Sequence, residues 1–121
     1  MNDTHSFYLN SLIKHLDRVH INPFGIVTIL REPVWMPINS TRLLSLCDLI
    51  VINYDMTAIP IELKSTMNSE LKALKQLKQG CTYIDEIYNG LYTVNYGKVI
   101  YYRSGKSHFV DYPRRTLDEL L

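Results

Sequence analysis

Cys47-Asp48-Leu49-Ile50-Val51-Ile52 and, after a short turn, Ala58-Ile59-Pro60-Ile61-Glu62-Leu63-Lys64 decide how the rest of the chain reads. Both are apolar runs of strand length rich in β-branched residues, and Asn53-Tyr54-Asp55-Met56-Thr57 between them supplies a turn. They predict two adjacent strands, 46–53 and 58–65, folded as a hairpin. Charge is costly in apolar surroundings unless it is paired, yet Asp48, Glu62 and Lys64 gather at one end. Side chains alternate along a strand, so Glu62 and Lys64 share a face and Leu63 takes the other. Asp48 falls across from Glu62, Leu63 or Lys64 according to register, and a one-residue slip changes its face. The sequence leaves that register open. With Asp48 on the face of Glu62, the two carboxylates suit one hard cation such as Mg²⁺, which takes oxygen ligands and keeps several waters. Lys64 beside them can orient or help deprotonate a water, or stabilise a charged phosphate. The plainer reading is a structural ion pair of Lys64 with Glu62 or Asp48. Apolar flanks favour central strands over a solvated edge.

A helix follows. From 68 to 88, Leu71, Leu74, Leu77, Cys81, Ile84 and Ile87 recur at helical spacing as one apolar stripe. Asn68 or Ser69 caps its start and Asn89-Gly90 ends it. Lys72, Lys75 and Lys78 stand at i, i+3 and i+6, as a solvated face or as a track for a phosphate backbone.

Upstream, residues 4–20 read as a first helix with Phe7, Leu9, Leu12, Ile13, Leu16 and Val19 on its apolar side, broken at Asn22-Pro23-Phe24-Gly25. Gly25 to Leu30 reads as a strand and 31–42, interrupted by Pro33 and Pro37, as a loop. Downstream, Leu91 to Val94, Val99 to Tyr102 and 107–112 read as strands, and Thr116 to Leu121 as a short terminal helix. Pro60 removes a ladder donor, so a bulge or an unpaired site is expected there.

At 121 residues this is one domain, 1–121, large enough for a core. Hydrophobic content of 46% and charged content of 21% are those of a globular protein. The net charge of +1 excludes a passive nucleic-acid coat but not a local basic patch. No apolar run approaches the roughly 20 residues that span a bilayer, and Met1 to His5, with no basic region before an apolar core, reads as the start of a chain expected to carry no signal peptide. Cys47 and Cys81 form no metal-ligand pattern and read as buried thiols in a cytoplasmic protein. His5, His15, His20 and His108 form no ligand cluster, although His15 on the first helix could face the site. The nine tyrosines suit sheet packing or a subunit interface, or stacking on unpaired bases.

Asp48, Glu62 and Lys64 on two strands, with a helix after them, resemble the PD-(D/E)XK nuclease superfamily, over about Leu43 to Tyr102. Cys47 stands where the superfamily's name has proline. The order of elements, αβββαβ, matches the restriction-endonuclease-like core, an α/β fold with a central mixed sheet flanked by helices. The resemblance implies a Mg²⁺-dependent deoxyribonuclease, with Mn²⁺ as a substitute. Asp48, Glu62 and the Leu63 carbonyl would hold the metal, and Lys64 would act on the water. In RecB-like members the following helix carries a supporting glutamine, often as Gln-x-x-x-Tyr. Gln76 has the usual leucine after it but meets Gly80, whereas Gln79 meets Tyr83; Gln76 is preferred. Resolvase-like members add an acid from the first helix, for which Asp17 is the candidate here, or else a surface aspartate. Small stand-alone members include Holliday junction resolvases, which act as homodimers. Junction cleavage is therefore the leading expectation, with a RecB-like nuclease on single strands or DNA ends next. A catalytically silent nucleic-acid-binding or assembly protein of the same fold is the alternative of another class.

Overall fold

A computed structural model of the protein describes residues 3–65, 70–102 and 108–120. It is an α/β fold built on a mixed five-stranded sheet. In chain order the elements are α1 (Asp3–Lys14), β1 (Ile26–Arg31), β2 (Val34–Trp35), β3 (Leu44–Ser45), β4 (Leu49–Asn53), β5 (Ala58–Lys64), α2 (Glu70–Ile87), β6 (Tyr96–Tyr101), β7 (His108–Pro113) and α3 (Arg114–Asp118). The large sheet runs β1-β4-β5-β6-β7, and β2 and β3 form a separate two-residue ladder.

The apolar runs of β4 and β5 are buried on both faces, which is why they lack a simple polar–apolar alternation. On one face Leu49, Val51, Ile59, Ile61 and Leu63 pack against Leu9, Leu12 and Leu16 from α1 and the turn after it. On the other, Ile50, Ile52 and Ala58 pack against Ala73, Leu74, Leu77, Cys81 and Ile84 of α2, and Leu117 of α3 closes that layer. The antiparallel β4–β5 pair is followed by a parallel step from β5 to β6. Parallel neighbours need a crossover, and α2 supplies it.

Several boundaries differ from the sequence reading. The first helix stops at Lys14 and continues as a 3₁₀ turn over Leu16–Val19, closed by His20 in the left-handed region (φ 64°). The segment expected as a loop contains β2, which pairs Val34 with Ser45 and Trp35 with Leu44. Leu91 to Val94 is not a strand: Thr93 makes only one isolated bridge, to Thr57, and the strand begins at Tyr96. On α2, Leu71 and Ile87 point outward at 59% and 50% exposure, because Ala73 and Gly80 occupy the inward positions. The terminal helix starts at Arg114, earlier than expected. The expected cap, Asn68 or Ser69, lies outside the described residues.

Pro60 causes no bulge. It pairs in register with Ile50, between Leu49↔Ile61 and Val51↔Ile59. The Ala58 amide donates to the Thr93 carbonyl, on the β6 side of the strand. Amide directions alternate, so the missing donor of Pro60 also faces β6. The β6 ladder begins at Ile61, one residue later, and no bond is lost. Among the described residues no helix is long and apolar enough to cross a membrane.

Candidate active site

The β4–β5 register settles where Asp48 stands. Leu49 pairs with Ile61, so Asp48, in the bend just before β4, falls opposite Glu62 and on its face. Two hydrogen bonds fix the pairing reciprocally. The Asp48 amide donates to Glu62 Oε1 at 3.0 Å, and the Leu63 amide donates to Asp48 Oδ2 at 2.7 Å. Main-chain groups of one strand residue point to one side, so the Leu63 carbonyl also faces the Asp48 side.

Lys64 completes the cluster. Its Nζ lies 3.3 Å from Glu62 Oε2 and donates to Gln76 Oε1 at 3.2 Å. The Gln76 amide reaches on to the Leu46 carbonyl at a long 3.5 Å. Of the two candidate glutamines, then, Gln76 meets the lysine, while Gln79 sits further round α2. Gly80 is what lets α2 come this close. A Cβ there would stand 3.0 Å from Cys47 Sγ and 3.1 Å from Pro60 Cβ, which leaves no room for a tyrosine.

Burial sets the electrostatics. Glu62 is only 2% exposed, whereas the Asp48 and Lys64 side chains keep 17% each. Burial, and then the adjacent Asp48 carboxylate, push the Glu62 carboxyl from 4.5 up to about 9, with Lys64 pulling the other way. The Cys47 thiol is pushed well above its ordinary value by burial and by the Glu62 charge, so it remains a neutral packing group donating to the Leu49 carbonyl. An open pocket of about 510 Å³ exposes Asp48 and Gln76 between α1, the β2–β3 hairpin and α2.

Two residues at this pocket were not singled out from sequence. His5 Nε2 lies 3.0 Å from Asp48 Oδ1, so α1 delivers an imidazole and not an acid. Asp17, expected as that acid, is exposed on the 3₁₀ turn and does not line the pocket. Glu32 does line it: β1 pairs with β4 through Arg31↔Leu49, and the Glu32 amide donates to the Asp48 carbonyl at 2.7 Å. His5 is one of four histidines scattered through the chain, and Glu32 depends on the register of β1. Neither leaves a local signal.

The lysine stripe divides. Each residue of an α-helix turns by about 100°, so positions three apart drift by about 60°. Lys72 and Lys75 are exposed, but Lys78 has rotated to the α3 side, where it pairs with Asp118 at 2.8 Å. His15 opens into a different pocket, on the opposite face of the sheet.

The donor set has the chemistry of a hard-cation site. It offers a buried carboxyl that resists ionisation without a counter-charge, a second carboxylate beside it, and a main-chain carbonyl. Among the described residues no three His, Cys, Asp or Glu groups come together as a full ligand set. The protein can supply two carboxylates and leave the rest to water, as Mg²⁺ tolerates. Comparison with known proteins adds no relative: no family model, curated protein or solved structure matches the chain.

Proposed function

We propose that the protein is a metal-dependent deoxyribonuclease of the PD-(D/E)XK type, hydrolysing phosphodiester bonds at Asp48, Glu62 and Lys64. The observation that carries this reading is the convergence of the three on one sheet face, with Gln76 of the next helix on the lysine. Asp48, Glu62 and the Leu63 carbonyl would hold Mg²⁺ or Mn²⁺. When bound, the metal supplies Lewis acidity toward the phosphate and a more acidic water. Lys64, held between Glu62 and Gln76, positions the attacking water or neutralises charge developing on the phosphate. His5 orients the Asp48 carboxylate. A structural ion pair accounts less well for these groups, because it needs neither the second carboxyl beside Glu62 nor a pocket at Asp48.

A four-way junction, cut by a homodimer, is the substrate a small stand-alone nuclease of this type suggests, by analogy alone. A RecB-like nuclease acting on single strands or ends is the second reading, and the Gln76–Lys64 contact favours it. Labelled junction, duplex and single-stranded DNA, incubated with Mg²⁺ or Mn²⁺ beside Glu62→Ala and Lys64→Ala, test all of this. Paired symmetric cuts in the junction support the resolvase reading, and cuts in single strands or at ends support the RecB-like one. No cutting of any substrate, with wild type and variants binding DNA alike, would sink the enzyme and leave a binding or assembly protein.

A further inference from the structure

A second pocket, of about 290 Å³, lies on the opposite face of the sheet at the same end of β5 and β6. It is lined by Tyr8, Ser11, His15 and Arg18 from α1 and the turn after it, and by Leu63 and Tyr102 from the sheet side. Three features distinguish it from an ordinary surface hollow. Tyr8 and Tyr102 are stacked, with ring centroids 4.4 Å apart and planes within 17°, and both are half-buried, so part of each ring meets solvent. Among the described residues a guanidinium, an imidazole and a serine hydroxyl line it beside the tyrosines, and no carboxylate does. It is also joined to the candidate active site through the chain itself. The side chain of Leu63 lines the pocket while its amide holds Asp48, and the Tyr102 amide donates to the Lys64 carbonyl at 3.1 Å.

We propose that this pocket binds one unpaired nucleotide of the strand whose neighbouring phosphate lies at Asp48 and Glu62. The inference rests on the nuclease reading and narrows its substrate to DNA with a single-stranded segment at the cut. The base lies against the tyrosine pair, since every base has a π-face and such stacking tolerates any sequence. The phosphate meets Arg18, whose planar fork suits phosphate oxygens, with His15 and Ser11 as further donors. A strand rounding the end of β5 occupies both sites. A base paired inside a duplex has no free face to offer the tyrosines, which is the source of the selectivity.

The test is binding without cleavage. Wild type in EDTA is titrated with thymidine monophosphate, an eight-residue thymidine strand and a blunt duplex, following by NMR the methyl signals of Leu63 and of Leu12 and Ile100, which also line the pocket. The proposal expects the strand to shift these signals and the duplex to leave them unmoved. Arg18→Ala, a change at an exposed position, weakens strand binding about tenfold. Lys14→Ala removes the same charge outside the pocket and leaves binding nearly unchanged. Shifts with the monophosphate too would show that the nucleotide alone suffices; shifts with the strand alone would show that the neighbouring phosphate is needed, and either supports the pocket. Silent methyls with both, or equal losses in Arg18→Ala and Lys14→Ala, would overturn it. Pocket shifts in a protein that cuts nothing would leave the pocket standing and sink the nuclease; metal-dependent cutting with silent methyls would do the reverse.

Discussion

Replacing Glu62 by glutamine should change how stability depends on pH more than it changes stability itself. In the folded chain the carboxyl is 2% exposed beside Asp48 and holds its proton up to about pH 9; unfolded, it loses the proton near 4.5. Between those values the folded state binds more protons than the unfolded one, so stability falls as pH rises. Each pH unit in that window costs about 1.4 kcal/mol, so the interval from pH 5 to pH 8 costs at most about 4 kcal/mol. Glutamine mimics the protonated carboxyl and does not titrate. Urea unfolding in EDTA should therefore find wild type and Glu62→Gln similar at pH 5, and the wild type less stable by about 2–4 kcal/mol at pH 8. Mg²⁺ at a hundred times its dissociation constant should restore about 2.7 kcal/mol to the wild type at pH 8 and little to the variant. A wild-type-minus-variant difference that stays flat from pH 5 to pH 8 would refute the reasoning, because Glu62 would then be ionised in both states.

Gly80→Ala should destabilise by about 1–3 kcal/mol in denaturant unfolding, the contacts with Cys47 and Pro60 outweighing alanine's helix preference of about 1 kcal/mol; a stabilised variant would show that α2 can retreat. Gln76→Ala should lower metal-dependent cleavage roughly tenfold, an order-of-magnitude expectation for a residue supporting a metal site, while Gln79→Ala and Asp17→Asn leave it unchanged; equal losses at the two glutamines would undo the assignment. Lys98 is wholly buried, its Nζ 2.7 Å from Asp111 Oδ1 in a contact without hydrogen-bond alignment and 4.1 Å from the Phe109 ring centre. Asp111→Ala strands that ammonium and should cost about 2 kcal/mol, whereas Lys98→Met should be neutral or stabilising; melting curves showing the opposite order would contradict this.

The site strands were legible because continuous apolar runs with charges at one end leave few other arrangements. Glu62 and Lys64 on one face, and Leu63 on the other, follow from strand alternation alone. The position of Asp48 did not follow, since register is a property of the pairing and not of either strand. Gln76 was preferred for the leucine after it, but what separates it from Gln79 is its contact with Lys64, which depends on how α2 packs on the sheet. Leu71 and Ile87 misled because a stripe of large apolar residues outweighs Ala73 and Gly80 on paper, although the small residues are what the close helix–sheet contact needs. Leu91 to Val94 has strand composition, but the chain spends it on a connection with a single bridge to Thr57. His5 and Glu32 reach the pocket through tertiary packing, which no local pattern records.

The most direct measurement is single-turnover cleavage of a labelled DNA carrying both a junction and a single-stranded arm, at pH 8. Wild type and Lys64→Ala would be purified side by side and assayed with Mg²⁺, with Mn²⁺ and with EDTA. The account predicts strand scission by the wild type with either metal, none in EDTA, and a loss of at least roughly a hundredfold in Lys64→Ala, the scale of removing one charge-stabilising donor. Intact DNA under every condition, or equal cutting by wild type and Lys64→Ala, would contradict it.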